Sequence, residues 1–98
     1  MAEEATLKSD DIIRITRHFR MQWEEAQQAH VLLYPEGMVT LNEPAAEILT
    51  RCREAKSVTQ VVEELQQAFP QEDIAADVRE FLEDAYGNGW ICIERPDE

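Results

Sequence analysis

The stretch from Leu32 to Leu49 constrains the fold more than any other part of the chain. Its sequence is LLYPEGMVTLNEPAAEIL. Pro35 suits the first central position of a β-turn because its ring fixes φ, and Gly37 supplies a flexible closing residue. Asn42 is a good helix N-cap, and a proline is tolerated in the helical turn that follows. The stretch therefore predicts a hairpin that leads directly into a helix.

Three strands are predicted in the first half of the chain, because short apolar runs there alternate with polar residues or flank the turn. They are Phe19–Trp23, His30–Tyr34 and Met38–Leu41. In the third strand, Val39 and Leu41 are expected to face the core. The segment EEAQQA lacks an apolar stripe and is interpreted as a connecting turn. Ile12–Ile15 is interpreted as the start of an extended arm, and WICIE as a short strand or an extended tail.

Three helices are predicted after the strands. Ser57–Gln60 forms a capping box at the start of the second helix, and Pro70 ends that helix. The third runs from about Asp73 to Tyr86 and is stopped by Gly87 and Gly89. The residues expected to point inwards are Ala45, Ile48, Leu49 and Cys52 in the first helix, Val58, Val61, Val62, Leu65, Ala68 and Phe69 in the second, and Ile74, Val78, Phe81, Leu82 and Ala85 in the third.

Strands followed by helices predict the α+β class. A three-stranded antiparallel sheet followed by three helices is a winged-helix-like arrangement. The chain has 98 residues, which fits one domain. We expect a disordered acidic tail over residues 1–11 and a single domain over residues 12–94.

The sequence contains no apolar run long enough to span a membrane, and its acidic start does not resemble a signal peptide. Cytoplasmic localisation is therefore the default expectation. Cys52 and Cys92 have no paired spacing and are expected to be reduced thiols.

Catalytic and metal-binding motifs are missing from the sequence. His18 and His30 belong to no metal-binding pattern, and the three glycines form no phosphate loop. Cys52 lies on the inner stripe of the first helix, where a buried thiol is more common than a nucleophile. We therefore expect no enzymatic activity, no cofactor and no metal site.

The charge of the chain argues against two classes of partner. The net charge is −12, and residues 57–94 hold nine acids opposed only by Arg79. Such a surface repels nucleic acids and anionic membranes, although a solvated acidic face is the more common explanation. A winged-helix DNA-binding regulator remains the alternative function. It is disfavoured because its recognition helix would here be acidic.

An exposed edge of the sheet offers a different kind of binding. A strand at the edge can accept an added peptide strand through its backbone groups. If the third strand is that edge, residues 38–41 would provide these groups, and the third helix would form a wall beside them. The alternative is that Phe81 and Leu82 are simply core residues, as amphipathic stripes mostly are.

The hairpin-to-helix stretch, followed by SVTQVVEELQQAF and DVREFLEDAYGNGWI, resembles the PqqD family over residues 17–93. The resemblance implies a peptide chaperone of pyrroloquinoline quinone biosynthesis, which binds the precursor peptide PqqA. It also implies presentation of that peptide to PqqE, a radical S-adenosylmethionine enzyme that carries its own clusters. A homodimer formed by strand exchange is a further expectation.

The same resemblance implies where the peptide lies. In the wider group of recognition elements, a leader peptide adds as a strand beside the third strand and packs against the third helix. The implied peptide-binding residues are Met38, Val39, Thr40 and Leu41 in the strand, and Val78, Phe81, Leu82 and Ala85 in the helix.

Overall fold

The structure is a computed structural model that describes residues 7–94. Within these residues the strands are β1 (Ile12–Ile15), β2 (Arg20–Glu24), β3 (Ala29–Tyr34), β4 (Gly37–Thr40), β5 (Lys56–Ser57) and β6 (Ile91–Ile93). The helices are α1 (Glu43–Thr50), α2 (Val58–Ala68) and α3 (Ala75–Gly87). The predicted α+β class, with a three-stranded antiparallel meander followed by three helices, is confirmed.

The meander is an antiparallel sheet in the order β2-β3-β4. Met21 pairs with Leu32, which pairs with Val39, so these three side chains share the face that covers the core. Leu32 is fully buried, and Leu41 just beyond β4 is 5% exposed. The predicted inward direction of Val39 and Leu41 is therefore confirmed. The EEAQQA segment is largely a turn between β2 and β3, as predicted.

A second small sheet has the order β5-β1-β6. Ile13 of β1 is fully buried and pairs with both Lys56 and Ile93. The interpretation of residues 12–15 as the start of an arm is therefore wrong, because this segment is the central strand of a sheet. Between the two interpretations of WICIE, the structure selects a strand.

The segment before β1 is packed against the helices. Leu7 is 3% exposed, and its amide donates a 2.8 Å hydrogen bond to Oε2 of Glu83. The amide of Thr59 donates to the carbonyl oxygen of Ser9 at 3.1 Å. The predicted disordered tail over residues 1–11 is therefore wrong for residues 7–11, and the rest of that prediction falls outside the described residues.

Local capping contributes to the starts of α1 and α2 and to the end of α3. Oδ1 of Asn42 accepts a 2.9 Å hydrogen bond from the amide of Ala45, which satisfies one free donor of α1. Ser57 and Gln60 form the predicted capping box at the start of α2. At the end of α3, Gly89 adopts φ of 82°, a left-handed conformation that favours glycine.

One core lies between the meander, the small sheet and the helices. All four inward residues predicted in α1 are buried, as are Val58, Val61 and Leu65 of α2. Ala68 and Phe69 do not join them. Both are exposed, because they lie at the end of α2, beyond the part of the helix that packs on the core.

Candidate functional site

The free edge of β4 is the first part of the candidate site. Among the described residues β4 pairs only with β3, so its other side is open. The amide of Leu41 donates to the carbonyl oxygen of His30 at 2.9 Å, which makes these two residues a hydrogen-bonded pair. Antiparallel pairs alternate, so the backbone groups of Val39 also face β3. The N–H and C=O groups of Met38 and Thr40 therefore point to the open edge.

The side chains along this edge are accessible. Met38 is 45% exposed, and Thr40 is exposed on the same face of the sheet. Oγ1 of Thr40 donates a 2.8 Å hydrogen bond to Oε1 of Gln27 in the β2–β3 turn. This contact stabilises the end of β4 without occupying the backbone groups at its open edge. An added strand would meet polar backbone groups with apolar and hydroxyl side chains beside them.

A cavity of about 550 Å³ opens two residues beyond the end of β4, at Asn42. It lies between the start of α1, the end of α2 and the first half of α3. Its lining residues are Asn42, Glu43, Pro44, Ala45, Glu47, Ile48, Leu65, Phe69, Glu72, Ile74, Asp77, Val78 and Phe81. Met38 at the start of the edge and Asn42 at the cavity are about 13 Å apart along an extended chain. One extended peptide segment is long enough to span both.

The cavity combines an apolar interior with an acidic rim. Phe69, 36% exposed, and Phe81 provide aromatic surface that a ligand can reach. Glu43, Glu72 and Asp77 line the same cavity and have no ion-pair partner among residues 7–94, whereas Glu47 is paired with Arg51 at 2.7 Å. The rim therefore favours cationic groups placed next to an apolar side chain.

The structure divides the predicted residues of α3 into two groups. Val78 and Phe81 line the cavity, and Phe81 also packs near the ring of Trp90, with centroids 6.4 Å apart. Leu82 and Ala85 are fully buried and do not line the cavity. The prediction that Leu82 and Ala85 belong to the wall is therefore corrected. The inward stripe of α3 faces the core along the whole helix, whereas it faces the cavity only over the first half.

Residues at the start of α1 and the end of α2 were missed by the sequence analysis. Asn42 was recognised only as a cap, and Phe69 only as a core residue. A signal for Phe69 was present, because Pro70 follows it directly and breaks the helical pattern at this residue. The acidic lining carries no sequence signal, since the carboxylates come from three separate segments: α1, the α2–α3 connection and α3.

The described residues contain no cluster of His, Cys, Asp and Glu suited to a metal ion. Burial raises the pKa of the Cys52 thiol to about 12, although the positive charge of Lys56 acts in the opposite direction. A thiol with this pKa is protonated at neutral pH and is a poor nucleophile. No helix within residues 7–94 is long and apolar enough to cross a membrane.

Comparison with known proteins identifies the family. A family model described as Coenzyme PQQ synthesis protein D (PqqD) matches residues 29–91. A protein of Methylococcus capsulatus named PqqA binding protein is 48% identical over 86 residues, which cover 88% of this chain and 92% of that protein. A protein of the same name from Azotobacter vinelandii is 51% identical over 89 residues, covering 90% of this chain and 95% of that protein.

A solved structure has the same fold. It is the solution NMR structure of the PqqD truncation of Methylobacterium extorquens PqqCD, with a TM-score of 0.72 and 26% identity. The match covers 93% of this chain and 97% of that one, which is described as a stand-alone recognition element for ribosomally synthesised and modified peptides. The fold is therefore that of a small recognition-element domain. The chain belongs to the PqqD family.

Proposed function

We propose that the chain is a non-catalytic peptide chaperone that binds the precursor peptide PqqA and presents it to the radical S-adenosylmethionine enzyme PqqE. The observation that carries the proposal is the closeness along the chain of the open edge of β4 and the cavity, which Asn42 lines only two residues beyond the strand. The names of the relatives support PqqA as the peptide. Their likeness covers nearly the whole chain, so the support extends to the complete domain.

In the proposed complex, the peptide pairs with β4 as a fourth strand. Met38 and Thr40 offer two N–H and two C=O groups to it. At about 0.5–1.5 kcal/mol net for each hydrogen bond, these contribute about 2–6 kcal/mol. A micromolar complex needs about 8 kcal/mol, so the edge alone is insufficient.

The cavity supplies the remaining affinity. Full burial of one large apolar side chain contributes about 1.5–3 kcal/mol. We propose that such a side chain enters between Phe69, Val78 and Phe81. Neighbouring lysine or arginine residues of the peptide then lie against Glu72 and Asp77. The peptide class is therefore an extended segment with an apolar anchor and adjacent cations.

The chain contributes binding and presentation to the pathway, whereas the bond-forming chemistry belongs to the partner enzyme. Such an adaptor works where ribosomes release the precursor, so we place it in the cytoplasm. A DNA-binding role has less support. The only arginine of α3, Arg79, lies near Oγ of Ser9 and the carbonyl oxygen of Leu7, at 3.4 Å from each. The other charged residues of α3 are acidic.

Titration of the full chain with synthetic PqqA by calorimetry tests the proposal. We expect one-to-one binding in the micromolar range or tighter, and an unchanged peptide when mass spectrometry is run after incubation without the enzyme. A gel-shift assay with duplex DNA near physiological salt is the comparison. DNA binding without peptide binding would support the regulator instead, and modification of the peptide by the isolated chain would contradict the non-catalytic role.

A further inference from the structure

A cluster of arginines stands apart from the acidic character of the chain. Arg14, Arg17, Arg20 and Arg53 line a cleft of about 400 Å³ formed by the β1–β2 turn and the segment after α1. These are four of the nine lysines and arginines in a chain with a net charge of −12. All four are exposed. We call this surface the basic cleft.

The charges of the basic cleft are largely uncompensated. Arg14 is ion-paired with Glu94 at 3.2 Å, but Arg17, Arg20 and Arg53 have no ion-pair partner within residues 7–94. Thr16 lines the same cleft, and its hydroxyl oxygen is buried without a hydrogen-bond partner in the described part of the chain. The cleft therefore has unused charge and unused hydrogen-bonding capacity.

The turn that carries these residues is locally fixed. The amide of Phe19 donates to the carbonyl oxygen of Thr16 at 3.0 Å, and His18 adopts φ of 75°. A non-glycine residue in the left-handed region costs free energy, so the surrounding structure must hold this turn in place. Across the cleft, Nη2 of Arg53 approaches the carbonyl oxygen of Met21, with the two atoms 3.5 Å apart. The arginines are thus presented from a fixed backbone.

We propose that the basic cleft docks an acidic surface patch of the enzyme that receives the peptide, an inference that rests on the proposed function. The cleft and the peptide cavity share no lining residue, so both can be occupied at once. At physiological salt, charges are screened over about 8 Å. The arginines of the basic cleft therefore attract a nearby acidic group despite the negative charge elsewhere on the chain. A long nucleic acid would also meet the acidic helices, whereas a limited acidic patch on a protein would not.

Charge reversal tests the inference with purified PqqE as the probe. Arg17→Glu and Arg20→Glu are each expected to weaken binding to PqqE about threefold or more at low salt, and high salt should remove the difference. Lys8→Glu is the matched control, because Lys8 is exposed, lines neither cavity and changes charge by the same amount. PqqA affinity, measured in parallel, should equal that of the parent in all three variants.

The outcomes separate this inference from the proposed function. Equal binding of PqqE by the arginine variants and the Lys8→Glu control would overturn the basic cleft as the docking surface. Binding of PqqA by the parent without any binding of PqqE would also overturn it, while leaving peptide recognition intact. If Arg17→Glu binds PqqE like the parent but loses binding to duplex DNA or self-association, the cleft is assigned to DNA or to a second copy of the chain instead. Failure of the parent to bind PqqA would instead contradict the proposed function.

Discussion

The amide of Leu41 donates a 2.9 Å hydrogen bond to the carbonyl oxygen of His30, and this bond sets the direction of every backbone group in β4. Val39 bonds towards β3, whereas Thr40 faces the open side. From the sequence, either residue could face outwards. The structure selects Thr40, so a change at this single position can remove an edge donor while leaving the β3–β4 ladder intact.

Thr40→Pro is expected to weaken PqqA binding about tenfold or more, equivalent to about 1.4 kcal/mol, because proline removes a donor from the edge. Proline is tolerated where the N–H of an edge strand faces solvent, so the variant should remain folded by circular dichroism. Thr40→Ala is the matched control, since it keeps the N–H and loses only the contact with Gln27. Calorimetry should show near-parental affinity for Thr40→Ala. Equal affinities for Thr40→Pro and the parent would remove β4 from the site.

Phe81 and Leu82 are neighbours on α3 with different expected roles. Leu82→Ala should lower the free energy of unfolding by about 2–5 kcal/mol, because this side chain is fully buried. Phe81→Ala should destabilise the fold less but reduce PqqA affinity, because the ring lines the cavity. Urea denaturation and peptide titration of both variants check the contrast. A Phe81→Ala variant with parental affinity would show that the cavity does not hold the peptide.

The acidic rim is expected to govern the salt dependence of peptide binding. Glu72→Gln should weaken binding a fewfold at low salt and flatten the dependence on ionic strength. Glu63→Gln is the control, because Glu63 is exposed on α2 and does not line the cavity. Measuring the affinity of both variants for PqqA over a series of salt concentrations checks this prediction. Equal salt dependence in the two variants would contradict recognition of cations by the rim.

Cys52 makes the stability of the fold depend on alkaline pH. The thiol has an ordinary pKa of 9.0 when unfolded and about 12 in the native chain. Its contribution to stability is therefore complete below pH 9 and is lost as the pH rises towards 12. Urea denaturation at increasing pH above 9 should show that the free energy of unfolding declines, and that the decline is smaller in Cys52→Ala than in the parent. If the free energy of unfolding falls as steeply with pH in Cys52→Ala as in the parent, the thiol does not cause the decline.

Features stabilised by residues close in sequence could be predicted. The Asn42 cap and the Ser57–Gln60 capping box each depend on contacts three residues apart, so the sequence alone specifies them. The same holds for the meander, whose strands are joined by short turns. These elements place β4 and α1, and with them the open edge.

Features made by distant segments could not be predicted. The pairing of Ile13 with Ile93 joins short strands from opposite ends of the chain, and neither strand has a pattern that identifies its partner. The same is true of Leu7 against Glu83. Helical periodicity placed Phe81 and Leu82 on one inward stripe. It could not show that the cavity opens beside Phe81 and not beside Leu82, because that depends on where α1 begins and α2 ends.

Amide hydrogen exchange of the full chain, followed by NMR with and without PqqA, tests strand addition most directly. The amides of Met38 and Thr40 should exchange several-fold more slowly in the complex, because the peptide backbone would accept their hydrogen bonds. The amides of Met21 and Trp23 face the other open edge, on β2, and should be unchanged. Unchanged exchange at Met38 and Thr40 in the saturated complex, or protection confined to the β2 edge, would contradict docking along β4.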